Sequence, residues 1–346
     1  MSARAFICGV SGFELTGTER GFLREAAPWG LILFKRNVDS PEQVRRLIAS
    51  FRELVGRDEA PVLIDQEGGR VQRLGPPHWP SYPPGREYGR LYDRDRSHGL
   101  AAARLAGRLI AADLAALGIS VDCLPLADVP VTGSSEVIGD RAYGLSAPKV
   151  AAIAGAMAEG LRAGGVLPVV KHIPGHGRAT VDSHSGLPTV DADRATLELT
   201  DFAAFRALNH LPLAMTAHIV FSAIDPVAPA TISATIVREV IRGFVGFDGV
   251  LMTDDISMGA IAGTMAARVR ASIAAGCDVV LHCNGRADEM QSVAAEVPVL
   301  DGDAQRRAAA ALAGRRPPEP TDLAAARIAF LEFLSGGGLT DSRALS

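Results

Sequence analysis

GLILFKRNVDSPEQVRRLIASFRELVGRDEAPVLID, residues 30–65, contains one complete structural unit. An unbroken apolar run opens it at 30–34 and another closes it at 61–65, with Asp65 at the very end. Between them, Ser40 stands directly before Pro41 and three residues before Gln43. That is a helix start: a side-chain oxygen for an unpaired N–H, a ring whose fixed φ suits the first turn, and an amide able to reach back as a capping box. Val44, Leu47, Ile48, Phe51, Leu54 and Val55 then recur every three or four residues, the apolar stripe of an amphipathic helix. The flanking runs do not alternate apolar with polar, so each is a strand covered on both faces, as in a parallel sheet. The stretch reads strand, helix, strand.

The same unit recurs along the chain. Apolar runs occupy 5–10 (AFICGV), 30–34, 61–65, 120–126 (SVDCLPL), 166–172 (VLPVVKH), 213–219 (LAMTAHI), 249–255 (GVLMTDD) and 278–283 (DVVLHC). Alanine-rich helical patterns lie among them at 101–117, 148–162, 192–208, 234–244 and 258–275. Eight strand–helix units argue for a single (β/α)8 TIM barrel over an open doubly wound sheet. There is no GxGxxG after the first strand and no P-loop, which weighs against a dinucleotide fold. No Ser/Gly-rich linker divides residues 1–346, so one catalytic domain is expected. PPEP at 317–320 and GGG at 336–338 bracket a C-terminal helix and leave a loosely packed tail from about residue 335.

Composition narrows the function. Of 346 residues, 48% are hydrophobic and 21% charged, enough to bury a large core, and the net charge of −4 gives no basic footprint for nucleic acid. Cys8, Cys123, Cys277 and Cys283 sit in or beside apolar runs without CxxC spacing, which fits buried thiols in a reducing compartment. No stretch nears the ~20 apolar residues of a membrane span, and the first residues lack the basic-then-apolar pattern of a leader. A cytoplasmic monomer that binds neither membrane nor nucleic acid is expected.

In such barrels the active site lies at the C-terminal ends of the strands, so polar groups closing an apolar run carry weight. Asp65, Lys171 with His172, His218, Asp254 with Asp255, and His282 all close one. A buried charge there is costly unless it is paired or used. The richest strand end is KHIPGHGRATVDSHSGLP, 171–188, with three of the eight histidines. His172 and His176 have the i, i+4 spacing of a helical metal pair, but Pro174, Gly175 and Gly177 break that helix, so no metal site is expected. Histidines gathered from separate strands, such as His172, His218 and His282, keep a metal-dependent hydrolase as the alternative. Asp182 and His184, two apart, can make a carboxylate–imidazole pair that sets which ring nitrogen carries the proton. The bland alternative is an Asx-turn at Asp182 beside a solvated His184.

In combination, GLILFKRN (30–37), IDQEGGRVQRL (64–74), IGDRAYG (138–144), KHIPGHG with DSHSGLP (171–188) and LMTDDISMGA (251–260) resemble the NagZ-type β-N-acetylglucosaminidases of glycoside hydrolase family 3, in the family's order and at fitting spacings. The resemblance runs from about residue 6 to about 284. It implies a retaining exo-glycosidase that needs no cofactor and removes non-reducing N-acetylglucosamine from peptidoglycan-derived fragments in cell-wall recycling. By it, Asp254 corresponds to the nucleophile, His184 to the general acid/base and Asp182 to its partner. Asp65, Arg73, Arg141, Lys171 and His172 correspond to residues that hold the sugar hydroxyls. Asp255 reads as a cap of the following turn, Glu67 and Arg70 as shapers of the third loop with Arg70 paired to a carboxylate, and His176 as a hydrogen-bonder within its loop. Ile173 departs from the family's frequent aromatic residue. The leaving group, and water against phosphate as acceptor, stay open.

Overall fold

A computed structural model describes residues 3–180 and 186–335. Eight parallel strands form a closed barrel in chain order: β1 (Arg4–Cys8), β2 (Pro28–Leu33), β3 (Val62–Ile64), β4 (Val121–Asp122), β5 (Leu167–Ile173), β6 (Leu213–Thr216), β7 (Val250–Asp255) and β8 (Val279–His282). Each neighbouring pair is parallel, and β8 closes on β1 through Phe6–Val280, Ile7–Leu281 and Cys8–His282. All eight apolar runs are therefore barrel strands. Burial on both sides explains their continuous apolar character, since interior and helix-facing side chains are both withdrawn from water. The β4 run is the most irregular: only two residues pair as a strand, and contact with β5 resumes at a separate Leu126–Lys171 bridge.

The helix of the opening stretch spans Pro41–Val55 and buries the predicted stripe of Val44, Leu47, Ile48, Phe51, Leu54 and Val55. Each such side chain removed from water is worth roughly 1.5–3 kcal/mol. Its N-terminus differs in one detail from a capping box. Ser40 accepts from the Gln43 N–H, but Gln43 Oε1 takes the N–H of Asp39 rather than that of Ser40, while its Nε2 donates to Phe13 O and Asn37 O. The capping residue thus also ties the loops after β1 and β2 together.

Two other helical patterns are shortened. Residues 192–208 split into Arg194–Leu199 and Asp201–Ala207, because Thr200 leaves helical geometry (φ −121°, ψ −86°) and turns its hydroxyl to Thr196 O and Asp201. Asp201 and Thr200 in turn bind Arg178 of the loop after β5, a tertiary anchor that outweighs local helix propensity. Residues 258–264 are loop, and that helix begins at Met265 behind a Thr264 cap. The segment Ile236–Phe244 is π-helical. All four cysteines are free and buried, and burial pushes Cys8 and Cys277 thiols up to about 12. No helix among the described residues is long and apolar enough to cross a membrane.

Candidate active site

A cavity of about 200 Å³ opens at the C-terminal ends of the strands. Asp65, Glu67, Arg73, Arg141, Lys171, His172 and Asp254 all line it, brought from the ends of β3, β4, β5 and β7. Larger grooves of about 390 and 400 Å³ lie between residues 86–93 and 130–149 and at the opposite end of the barrel around Asp248 and Arg307. Neither gathers strand-end charges in this way.

The third loop positions most of one wall. After β3 the chain makes a two-stranded hairpin, Gln66–Gly68 with Val71–Gln72, turning through Gly68 and Gly69 at positive φ. A Cβ at Gly68 would lie 2.4 Å from Pro83 O, so both its φ of 96° and its surroundings require glycine. Inside the hairpin, Gln66 Oε1 accepts the N–H groups of Arg73 and Leu74 and its Nε2 donates to Leu74 O. Asp122 at the end of β4 accepts the Gln66 N–H, and burial holds its carboxyl well above the usual range.

This hairpin carries a continuous chain of charges. Arg73 Nη2 donates to Asp65 Oδ2 at 2.9 Å, and Lys171 Nζ lies 2.9 Å from Asp65 Oδ1 and 2.6 Å from Glu67 Oε1. Glu67 in turn receives Arg141 through two parallel bonds, Nε to Oε2 and Nη2 to Oε1, both 2.8 Å. Burial opposes the charge on Asp65, Glu67, Arg141 and Lys171, yet the pairing wins. Lys171 and Arg73 hold Asp65 well below the usual carboxylate range, and Arg141 and Lys171 bring Glu67 down to about 2. The two carboxylates in turn hold Lys171 above the lysine range. Bonds this short in a partly dry site are strong, and the bidentate Arg141–Glu67 pair fixes orientation as well as charge. Lys171 keeps a third N–H and Arg141 part of its fork for a ligand. Outside the cavity lining, Arg70 pairs with Asp140 at 3.1 Å, as expected for a residue that shapes the loop.

Asp128 organises the fifth loop. Completely buried, it accepts the N–H groups of His172 (3.3 Å) and His176 (2.7 Å) on Oδ1, while Oδ2 is 2.8 Å from His172 Nδ1. Burial opposes its ionisation, and His172 beside it brings its carboxyl below the usual range. With Nδ1 engaged, His172 has Nε2 left for the cavity. His176 does more than bond within its loop: its ring stands edge-on to His172, 5.6 Å between centroids, and also lines the cavity. Burial and His172 bring its pKa down to about 4, so it is neutral near pH 7. Gly177 lets the loop lie against the β4 loop, since a Cβ there would be 2.1 Å from Val129 O. Asp182 and His184 lie outside the described residues.

Opposite the charge chain, Asp254 and Asp255 close β7. Both Asp255 oxygens are taken: Oδ1 accepts from Ser257 N and Cys283 N, Oδ2 from Ser257 Oγ. Asp255 is thus the turn cap read from the sequence. Asp254 is different. It has one backbone bond, from Asp255 N–H to Oδ1 at 2.8 Å, and faces the cavity. Burial works against its charge, but His218 and His172 hold the carboxyl below its ordinary range. It is an ionised, accessible carboxylate at a strand end.

The histidines of the metal reading do not converge. His218 Nε2 is 3.0 Å from Asp255 O and Nδ1 2.7 Å from Thr231 Oγ1; His282 Nε2 is 3.0 Å from Glu289 Oε2. Among the described residues no group of three His, Cys, Asp or Glu side chains could hold a metal ion. Glu67 and Asp128 are the functional-site residues whose roles sequence reasoning missed. Their one signal was visible: Glu67 follows a strand end by two residues, and Asp128 is a lone charge inside the apolar LADVPV.

This arrangement has close counterparts. The pattern of the glycosyl hydrolase family 3 N-terminal domain matches residues 13–311. A beta-hexosaminidase of Alkalilimnicola ehrlichii is 40% identical over 280 residues, covering 80% of this chain and 79% of that relative. One of Aromatoleum aromaticum is 39% identical over 280 residues, covering 80% and 78%. NagZ from Neisseria gonorrhoeae, solved in complex with N-trifluoroacetyl-D-glucosamine, superposes with a TM-score of 0.86 at 30% identity over 98% of this chain and 99% of that one. With strand ends, loops and charge chain described, these matches give the barrel its family: the chain belongs to glycosyl hydrolase family 3, among its NagZ-type β-N-acetylhexosaminidases.

Proposed function

We propose that the protein is a retaining exo-β-N-acetylglucosaminidase that releases non-reducing N-acetylglucosamine from peptidoglycan fragments. The fragment is N-acetylglucosamine β-1,4-linked to anhydro-N-acetylmuramic acid, with or without peptide, and the setting is cell-wall recycling in the cytoplasm by a monomer. The observation that carries the proposal is the ionised Asp254 carboxylate facing the Asp65–Lys171–Glu67–Arg141 chain across a cavity of about 200 Å³. That volume is below the roughly 300–1,000 Å³ of common ligand sites and suits one sugar residue. The acylated glucosamine bound to the Neisseria NagZ supports a 2-acylamino sugar.

In this mechanism the sugar hydroxyls exchange hydrogen bonds with Asp65, Arg73, Arg141, Lys171 and His172, whose donors and acceptors are fixed before binding. Asp254 attacks the anomeric carbon as a carboxylate and forms a glycosyl ester, and water then displaces it with net retention. His184 protonates the departing oxygen and then takes a proton from the water, with Asp182 setting its tautomer. An imidazole starts near neutral pKa and can serve both steps, where a carboxylate would have to be raised by burial.

The assignment of His184 is tested with two substrates. His184→Ala should lower kcat/KM by about 100-fold or more for natural-type glycosides with poor leaving groups, and far less for activated aryl glycosides that depart without a proton. Equal losses on both would remove His184 from the acid role.

A further inference from the structure

His218 belongs to none of the groups described as holding the sugar, yet it is completely buried one strand away from Asp254. We infer that His218 is a positioning residue for the nucleophile, acting through the Asp255 backbone. The inference rests on Asp254 being that nucleophile.

Asp255 is the only covalent neighbour of Asp254 on the cavity side, and it is held from three directions. Its carbonyl faces His218 Nε2 from the β6 side at 3.0 Å. Its carboxylate takes Cys283 N–H from beyond β8 at 3.1 Å and the Ser257 groups of its own turn. Its N–H is thereby aimed at Asp254 Oδ1, 2.8 Å away. The same carbonyl also accepts the Met258 N–H of its own turn at 3.1 Å, so the bond to His218 is the hold on it that comes from the neighbouring strand unit.

Proton accounting sets the tautomer. A carbonyl only accepts, so Nε2 carries the hydrogen. Nδ1 is 2.7 Å from Thr231 Oγ1, which is itself 2.7 Å from Thr216 Oγ1, and all three residues are buried. Thr231 Oγ1 also lies 3.1 Å from Ala217 O, so its one hydrogen is directed at either Nδ1 or that carbonyl; a neutral ring is satisfied when it goes to Nδ1, the shorter contact, and Thr216 donates to Thr231. Burial favours this neutral form, although the Asp254 carboxylate nearby opposes it. The Asp255 carbonyl therefore calls for the hydrogen on Nε2, and Thr231 supports that tautomer when it donates to Nδ1; a reversed tautomer would set a bare nitrogen against the carbonyl. Thr216 ends β6, while His218 and Thr231, the latter in the 3-10 turn Ala230–Ile232, belong to the segment that follows it.

Two polar replacements separate the halves of the ring. In His218→Gln the amide nitrogen can stand where Nε2 stands and still donate to Asp255 O. In His218→Asn the amide reaches only the Nδ1 position. We expect His218→Gln to keep kcat within about threefold of the parent and His218→Asn to lose about tenfold or more, with KM within about twofold in both, because the sugar holders are untouched. The rate of covalent trapping by a ring-fluorinated N-acetylglucosaminyl fluoride should fall in step with kcat. Equal kcat in the two variants, or a loss that appears in KM, overturns the inference. Should either variant fail to fold, Thr231→Val and Thr231→Ser decide it: the valine should lower kcat several-fold and the serine restore it, and an unchanged valine variant overturns the inference. Mapping the trapped label separates the two claims. Label on Asp254 at equal rates in Gln and Asn defeats only the role of His218, whereas label elsewhere defeats the nucleophile assignment itself.

Discussion

Replacing Glu67 by Ala should be the most damaging change that touches no atom of the reaction. Glu67 receives the bidentate Arg141 pair and Lys171 Nζ, and the side chains of Lys171 and Arg141 are only 2% and 12% exposed. Removing it strands two cations where water cannot replace the lost oxygens. Breaking a buried pair from one side typically costs about 3–5 kcal/mol. The lowered pKa of Glu67 corresponds to a cost of the same order. Its pKa falls from 4.5 unfolded to about 2 folded, and at about 1.4 kcal/mol per unit this corresponds to roughly 3 kcal/mol. Because the folded value is the lower one, this stability is fully present above the unfolded pKa. It is lost as pH falls from about 4.5 through about 2.

Urea denaturation of parent, Glu67→Gln and Glu67→Ala at pH 7 should therefore show Ala about 3–5 kcal/mol less stable, with Gln between them because it keeps one acceptor. For a chain of this size the corresponding loss in Tm is roughly 4–7 °C. The gap between parent and Gln should stay constant above about pH 5 and shrink below it. KM should rise about tenfold in either variant as Arg141 and Lys171 lose their common anchor, while the chemistry at Asp254 is retained. A cost under about 1 kcal/mol with unchanged KM would mean that Glu67 is solvated and that the charge chain does not hold the sugar site.

Two further outcomes follow from the same geometry. Gly177→Ala should lower kcat and destabilise by about 1–3 kcal/mol, since its Cβ would press on the backbone of Val129 and Pro130, whereas Gly186→Ala, with nothing within 4 Å, should leave both unchanged; equal behaviour of the two would show that the loop does not pack as described. Activity should survive prolonged dialysis against a chelator, because His218 and His282 spend nitrogens on Asp255, Thr231 and Glu289; loss of turnover restored by a divalent cation would return the metal reading.

Much of this architecture is legible in the sequence. The eight strands were readable because a strand covered on both faces needs continuous apolar residues, a local signal that tertiary context does not override. The helix 41–55 was readable because cap, proline and stripe all pointed the same way. Asp65, Lys171, His172 and Asp254 stood out as charges closing apolar runs, and the structure brings them to one cavity. Partnership was not legible. Each clamp residue read as an isolated donor or acceptor, whereas Arg73, Asp65, Lys171, Glu67 and Arg141 bind one another across three loops. Such pairing depends on how β3, β4 and β5 bring their ends together, and spacing along the chain does not encode it. Asp128 was hidden for the same reason: its partners are 44 and 48 residues away. The break at Thr200 likewise comes from Arg178 of another loop rather than from local preference.

The central claim is that Asp254, and not its neighbour, becomes covalently glycosylated. A ring-fluorinated N-acetylglucosaminyl fluoride should accumulate the glycosyl-enzyme, and digestion with trypsin places Asp254 in the peptide 243–268, together with Asp248 and Asp255. Fragmentation of that peptide should put the added mass on Asp254, and Asp254→Ala should take up no label and show no turnover. Label on Asp255, label on another peptide, or full turnover by Asp254→Ala would contradict the account.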